Sequence, residues 1–569
     1  MNVRAAFVAL ILALLYSAPA RAQQPASGAE TTTLSTTTEL VLVPAQVKGH
    51  DGKPLLGLKE QDFVLRSDGK PQPIRVFEPM QAANNPSTPV AQPLSPNHVS
   101  NVPAGGMPDQ ILILAIDLVN TSFHDQTRAK QQLLKYLLEQ LPNQHFALVA
   151  ITKDGLVQIH NFSTDPAVLI EALKRMQGSL DKEVVDEPML LKLTLAESFG
   201  AATNPLAEYQ TIVAAFNETQ IYGAYAQRLA AKATLTALMQ ISQAYAGVPG
   251  RKSVIWLTDG LPTLLADPFA GGIKNGSVMN GDPELLDDYQ QAFAALNNAN
   301  IAIYGVDLKG LKLDRTYQAT GFDQATNTRA TAALIYGPGQ MIKPGDYQDD
   351  AIKVVSAQTG GKSCTANAGL KDCIEQAVAD SSSYYLLGFY VPQQERKAGW
   401  HKLDVKLVGE KGSVRSRNSY YLAPTTSPSD KEIGRSLRDA AFARIGYTGI
   451  AFSVERAHGQ PGDNTNTPMM RIGVPASSVL LTASHPQLSY DIVTVPLTDK
   501  GEPAANLRLI HLNLNEQQTQ SSLAKGWAYF DPPQGSGTQA VKYILRDNGT
   551  GRIGSLVVLP EKPQVAANN

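Results

Sequence analysis

Two aspartates, Asp117 and Asp259, are the residues of this sequence best placed to bind a cation or another ligand. Each directly follows an apolar run, residues 111–116 in the first case and residues 253–258 in the second. Continuous apolar runs of this length are typical of buried strands in a parallel sheet. In an open α/β sheet, ligands bind beyond the carboxyl ends of the strands, where the strand order reverses. The two aspartates are therefore a candidate cation or ligand site.

Patterns that would indicate an enzyme are incomplete. Residues 361–363, Gly-Lys-Ser, resemble the end of a phosphate-binding loop, but Ser356 stands where that loop needs a glycine. The nine histidines include no pair at the i, i+4 spacing of a zinc-protease helix, and no Gly-x-Ser-x-Gly motif occurs. We therefore expect a protein without enzymatic activity and keep a hydrolase only as a third hypothesis.

The two cysteines, Cys364 and Cys373, are nine positions apart. In an oxidising compartment, such a pair predicts a short-range disulfide. Two free thiols and half of a metal site are the open alternatives. The metal site has little support, because zinc takes about four ligands and no further cysteine or histidine is close in sequence.

The N-terminal residues predict export. Arg4 precedes an apolar stretch at 5–16, and the Ala-Arg-Ala sequence at 20–22 is typical of a signal-peptidase site, so cleavage after Ala22 is expected. The apolar stretch is too short to span a bilayer, and no second span is predicted. The protein is expected to be secreted, periplasmic or part of the cell envelope. Loss of two arginines with the leader changes the formal charge from −2 to about −4, which does not favour a nucleic-acid partner.

The remaining sequence divides into segments of different pattern. Alternating strands and helices predict an α/β domain, whereas turns of the Asp-Gly type between short apolar runs predict β-hairpins. The predicted segments are a signal peptide at 1–22, a disordered linker at 23–36, N-terminal hairpins at 37–80 that pair with 382–422 into a β-sandwich, a linker at 81–108, the α/β domain at 109–381 with a helical insertion at 179–222, a linker at 423–432, and a C-terminal β-sandwich-like domain at 433–569.

Three stretches carry a resemblance to a known family. They are Asp-Leu-Val-Asn-Thr at 117–121, Pro-Gly-Arg-Lys-Ser-Val-Ile-Trp-Leu-Thr-Asp-Gly at 249–260, and Ser-Tyr-Tyr-Leu-Leu-Gly-Phe-Tyr at 383–390. The chain resembles von Willebrand factor A-type domains and, more closely, the secreted bacterial VWFA-related proteins of the Acidobacteria type. The resemblance implies a Rossmann-like α/β fold with a doubly wound, mainly parallel sheet, flanked by Ig-like β-sandwich domains.

The resemblance also implies a metal-ion-dependent adhesion site at the two aspartates. In that family a Mg²⁺ ion, or another divalent cation, is held by Asp-x-Ser-x-Ser, a later threonine and a final aspartate. A carboxylate of the partner then completes the ligand shell. Matching by position gives Asp117, Thr121 and Asp259 as metal ligands.

Two positions depart from the family's pattern. Val119 replaces the first serine, and the later threonine aligns with Lys232 unless the register differs and Thr234 or Thr236 takes its place. Asn120 and Ser122 are spare oxygen donors and are the predicted ligand-binding residues. The alternative to a metal site is that the two aspartates cap helices or pair with Lys232 or with Arg128.

The sequence thus predicts an exported, non-enzymatic protein-binding or adhesion module with a degenerate metal site. Its expected partner is a protein that binds through an acidic side chain. The alternative hypothesis is a metal-free scaffold subunit of a cell-envelope assembly.

Overall fold

The helices and strands follow the apolar pattern of the sequence over most of the chain. The computed structural model describes residues 39–81, 98–102, 110–121, 123–139, 145–153, 155–176, 228–261, 283–308, 344–364, 369–392, 394–409, 412–422, 428–457, 469–481, 485–504, 507–530 and 539–560. The predicted signal peptide, the linker at 23–36, the insertion at 179–222 and Ser122 lie outside these residues.

Twenty-two strands are present in the described residues. They are β1 (Glu39–Lys48), β2 (Phe63–Ser67), β3 (Lys70–Gln72), β4 (Val76–Gln81), β5 (His98–Ser100), β6 (Ile111–Asp117), β7 (His145–Thr152), β8 (Gly155–Ser163), β9 (Lys252–Thr258), β10 (Ile301–Asp307), β11 (Lys362–Cys364), β12 (Ser383–Val391), β13 (Gly399–Leu407), β14 (Ser413–Ser416), β15 (Ser419–Leu422), β16 (Ser453–Ala457), β17 (Met469–Pro475), β18 (Ser489–Pro496), β19 (Arg508–Asn513), β20 (Trp527–Phe530), β21 (Val541–Asp547) and β22 (Ile553–Val558).

Eight α-helices lie between these strands in the same described residues. They are α1 (Phe123–Glu139), α2 (Pro166–Arg175), α3 (228–244), α4 (Pro283–Asn298), α5 (Pro344–Thr359), α6 (Gly369–Ser382), α7 (Asp430–Phe442) and α8 (Glu516–Ala524).

The central sheet has six strands in the order β11-β10-β9-β6-β7-β8. Five of them are parallel, and the edge strand β8 runs antiparallel to β7. Counted along the chain within this sheet, the order from β8 is 3-2-1-4-5-6, the order of a doubly wound fold. The strand order therefore reverses between the neighbours β6 and β9. The predicted α/β class with a mainly parallel sheet is confirmed.

Both faces of the central sheet are covered by apolar side chains. Along β6, Ile111, Ile113 and Ala115 pack with α3, α4 and α5 on one face. Leu112, Leu114 and Ile116 pack with α1, α2 and α6 on the other. Burial on both faces explains why the strand reads as an unbroken apolar run rather than as an alternating one.

The N-terminal strands and the strands after α6 belong to the same two sheets. One sheet has the order β14-β1-β12-β4 and the other β15-β13-β2-β3. β1 pairs with β12 in antiparallel register from Glu39 opposite Val391 to Ala45 opposite Tyr385. The two sheets enclose one apolar core, to which β1, β2, β12, β13 and β15 all contribute. Strands more than 300 positions apart in sequence thus pair within the same sheets.

The C-terminal region forms a second pair of four-stranded sheets, with two differences from the sequence-based boundaries. The sheets are β20-β17-β16-β5 and β19-β18-β21-β22. The predicted linker at 81–108 contains β5, which pairs with β16. The predicted linker at 423–432 ends in the first turn of α7, because Ser429 caps that helix together with Glu432. The linker boundaries predicted at these two places were therefore wrong.

Helix α7 joins the second pair of sheets to the central sheet. Leu437 of α7 and Val493 of β18 lie in the same apolar core as Ile113 of β6. Thr448 adds polar contacts at this junction, since its hydroxyl donates to the Ala244 carbonyl and accepts from the Gly247 amide. The second sandwich is therefore packed directly on one face of the α/β domain.

A disulfide joins Cys364, at the end of the short edge strand β11, to Cys373 in α6. Both cysteines are buried in the apolar core that α6 shares with β9 and β10. The sequence-based interpretation placed no helix at α6.

Among the residues that the structure describes, no helix is long and apolar enough to cross a membrane.

Candidate functional site

The two strand-end aspartates lie where the strand order of the central sheet reverses. Asp117 is the last residue of β6, and Asp259 directly follows β9. Since β6 and β9 are paired in parallel, with Ile116 opposite Leu257, both residues reach the same edge of the sheet. Both carboxylates are buried. The sequence-based expectation that they share one edge thus agrees with the pairing of the strands.

The Asp117 carboxylate accepts five hydrogen bonds. Oδ1 accepts from the backbone amides of Val119 and Asn120, both at 3.0 Å, which forms a tight turn after the strand. Oδ2 accepts from Asn120 Nδ2 at 2.9 Å, Trp256 Nε1 at 3.2 Å and the Thr258 hydroxyl at 3.0 Å. Burial raises the pKa of Asp117, and these hydrogen bonds oppose the rise because they stabilise the ionised form.

Asn120 connects the turn after β6 to helix α3. Its Nδ2 donates to Asp117 and also, at 2.7 Å, to the hydroxyl of Thr234. Thr234 is fully buried. The side-chain amide of Asn120 therefore lies between the two oxygens that the family's pattern would assign to a metal ion.

The turn after β6 also contains buried oxygens without a hydrogen bond. Within the part of the chain that the structure describes, Asn120 Oδ1 and Thr121 Oγ1 have no hydrogen-bonding partner. The hydroxyl of Thr258 is satisfied on both sides, since it accepts from the Gly260 amide at 3.0 Å and donates to Asp117. The turn after β6 thus has spare acceptors, whereas the hydroxyl of Thr258 is satisfied within the protein.

The two positions that depart from the family's pattern have structural explanations. Val119 is partly buried against the apolar core and supplies no oxygen from its side chain. Lys232 forms an ion pair with Asp288, with Nζ and Oδ2 3.7 Å apart. Thr234 takes the place for which the alignment had suggested Lys232. Arg128 pairs with Asp125 and not with either aspartate of the site.

The contacts between Asp117, Asn120 and Thr234 do not fit a divalent cation at this position. An ionised carboxylate has about four lone-pair positions, and those of Asp117 are taken by five donors. Mg²⁺ also prefers a nearly octahedral set of oxygens at about 2.1 Å, whereas the group between Asp117 and Thr234 is a nitrogen donor. Among the described residues, no group of three or more His, Cys, Asp or Glu side chains is placed to hold a metal ion.

Sequence reasoning did not assign Trp256 or Thr258 to the site, and it named Thr234 only for the case of a different register. Trp256 was interpreted only as part of an apolar strand, although an indole N–H buried in a strand needs an acceptor. The Thr-Asp-Gly ending of β9 was a usable signal for Thr258, because a threonine before a turn often bonds to nearby backbone. Ser122, a predicted ligand-binding residue, lies outside the described residues.

No family model matches this sequence, and a comparison with curated proteins finds no match.

Proposed function

We propose that this chain is an exported, non-enzymatic protein-binding module built on a von Willebrand factor A-like domain between two Ig-like β-sandwiches. Its docking face is the edge of the central sheet formed by the carboxyl ends of the parallel strands. The observation that carries the proposal is the buried Asp117 at the reversal of a 3-2-1-4-5-6 strand order. In open α/β folds this is where ligands bind.

A binding role fits this edge better than a catalytic one. A general base needs a free lone pair within hydrogen-bonding distance of the proton that it removes. Asp117 has none to offer, because five donors from the protein already use its two oxygens. The carboxylate instead fixes the turn after β6 to β9, and Asn120 extends this connection to Thr234 of α3. A rigid edge of this kind suits recognition of a protein surface.

A scaffold subunit of a cell-envelope assembly is the second candidate. It is supported by an exposed apolar patch on the first sandwich, formed by Leu40, Leu42 and Tyr390, which are 39%, 40% and 44% exposed. Leu40 lies opposite Tyr390 in the β1–β12 pair, so the three side chains lie on one sheet face. Exposed apolar patches often mark contact surfaces between proteins.

The two candidates can be separated by charge and polarity changes on different faces. Lys153 is exposed and directly follows β7, on the same edge as Asp117. Lys135 is 76% exposed on α1, towards the opposite edge. Immobilised wild type, Lys153→Glu, Lys135→Glu and Tyr390→Glu are each incubated with envelope extract, and the retained proteins are quantified. A partner of the sheet edge is lost with Lys153→Glu alone.

The contrasting result is equally clear. A partner retained by Lys153→Glu and lost with Tyr390→Glu would refute the docking edge and support the scaffold hypothesis. The Lys135→Glu variant controls for a general effect of reversing a surface charge, so equal losses with both lysine variants would also contradict the proposal.

A further inference from the structure

The side chain of Asn120 occupies the space in which a cation would bridge β6 and α3. Its Nδ2 lies 2.9 Å from Asp117 Oδ2 and 2.7 Å from Thr234 Oγ1. A Mg²⁺ ion bound to the same two oxygens would lie about 2.1 Å from each, inside the volume of the amide group. An ion and this Asn120 conformation therefore exclude one another.

We infer that the Asn120 amide has replaced the divalent cation, so that the site works permanently without metal. The inference rests on the proposed function only for the identification of this edge as the docking face. An amide N–H₂ offers two donors and no net charge. It satisfies Asp117 and Thr234 at once, as a bridging cation would, but adds no positive charge that could bind a partner's carboxylate.

The other hydrogen bonds to Asp117 show that the protein surrounds this carboxylate with its own donors. Val119 and Asn120 donate through their backbones, and Trp256 and Thr258 through their side chains. The Asn120 side chain adds a fifth donor, so that a carboxylate with about four lone-pair positions is fully used. A cation at Asp117 would have to displace this amide, and leaving such a donor unsatisfied costs about 1–3 kcal/mol.

The replacement changes the kind of partner that the edge can bind. In a metal-dependent site, an acidic side chain of the partner completes the shell of the cation. Here the Asn120 amide lies at the bridging position, and the Lys232 ammonium pairs with Asp288. Because the amide carries no net charge, it does not attract a carboxylate of the partner as a cation would. The edge therefore binds its partner without a contact between a metal ion and a carboxylate.

The test uses Mn²⁺ as the probe and Asn120→Asp as the main variant. Aspartate has nearly the same shape as asparagine but replaces the Nδ2 donor by an oxygen. The variant therefore places a second carboxylate beside Asp117, and the two negative charges favour binding of a cation. Binding is measured by electron paramagnetic resonance of free Mn²⁺. Quenching of the Trp256 fluorescence localises the ion, because Trp256 Nε1 lies 3.2 Å from Asp117 Oδ2.

We expect Asn120→Asp to bind Mn²⁺ at least about tenfold more tightly than the wild type, with a matching rise of its Tm in Mn²⁺. Asn298→Asp makes the same change at an exposed position of α4 and should behave as the wild type. Asn120→Ala, which removes the amide without adding charge, should also gain affinity and serves if Asn120→Asp does not fold.

Two results would overturn the inference. The first is tight Mn²⁺ binding by the wild type with quenching of Trp256, since Asn120 would then not exclude the ion. The second is equal Mn²⁺ affinity of the wild type and both Asn120 variants, since the amide would then not be the group that replaces it. Neither result depends on whether a protein partner is captured, so failure of the inference and failure of the proposed function are distinguishable.

Discussion

Replacement of Asp117 by alanine should lower the free energy of unfolding of the α/β domain by more than the loss of one surface hydrogen bond does. The carboxylate holds the turn after β6, the indole of Trp256 and the hydroxyl of Thr258. Alanine removes all of these acceptors at once. Two of the donors, on Trp256 and Thr258, are fully buried in β9 and cannot reach water without local opening.

The expected magnitude follows from those two donors. A buried donor that loses its partner costs about 1–3 kcal/mol, so the pair costs about 2–6 kcal/mol. The variant also removes the cost of burying a carboxylate, which the raised pKa of Asp117 reflects, and this offsets part of the loss. The net decrease in the free energy of unfolding should therefore be about 3 kcal/mol.

Urea unfolding monitored by tryptophan fluorescence and circular dichroism measures this change. Asp165→Ala is the matched control, because Asp165 also follows a strand in this domain but accepts a hydrogen bond only from Ala167 at the start of α2. Loss of such an N-cap costs about 1 kcal/mol. If Asp117→Ala lowered the free energy of unfolding no more than Asp165→Ala did, the account of Asp117 as the structural centre of the site would be wrong.

Three other predictions concern parts of the fold away from this edge. Burial lowers the pKa of Lys252 to about 7. Above that pH the folded state binds fewer protons than the unfolded state, so the free energy of unfolding should rise towards pH 10, with a contribution from Lys252 of up to about 1.4 kcal/mol per unit. This rise should be smaller for Lys252→Met. In Gly361→Ala, Cβ would lie 1.9 Å from the Ile303 carbonyl oxygen, so a lower Tm and a loss of about 3 kcal/mol are expected. Cys364→Ser opens a short loop to Cys373 and should cost up to about 3 kcal/mol, with a Tm that no longer responds to reductant.

The strands that carry the site could be predicted from sequence because their signal is local. The apolar runs at 111–116 and 253–258 agree with β6 and β9 to within a residue. A strand buried on both faces must be apolar throughout, and its end is marked by the first polar residue. The two aspartates were recognised for the same reason, since a strand that ends in Asp has both a boundary and a functional group at one position.

The partners of the aspartates could not be predicted, because they depend on helix register and on long-range pairing. Lys232 and Thr234 are two positions apart, and two residues turn an α-helix by about 200°. A shift of two in the alignment therefore exchanges a surface lysine for a buried hydroxyl. Strand β5 was missed because it has only three residues. It is a strand through its pairing with β16, which lies more than 350 positions away in sequence.

Helix α6 shows a different limit of sequence reasoning. Its helical positions include Cys373, and its last residues are Asp-Ser-Ser, which are weak helix formers. The helix is stabilised instead by tertiary contacts, with Ile374 and Ala377 buried against the central sheet and the disulfide joining it to β11. Packing of an apolar face outweighs low intrinsic propensity in such a case. Helix propensity alone therefore does not predict α6.

The position of the site and its chemistry have separate origins in this molecule. The strand order alone brings the ends of β6 and β9 together, whatever residues follow them. Whether an ion binds to Asp117 depends on free lone pairs of its carboxylate, and the turn after β6 occupies them with its own amides and with the Asn120 side chain. The same turn leaves the hydroxyl of Thr121 buried and without a hydrogen bond in the described residues. A change at Asn120 alone would therefore decide between a closed hydrogen-bond network and a cation site on an unchanged fold.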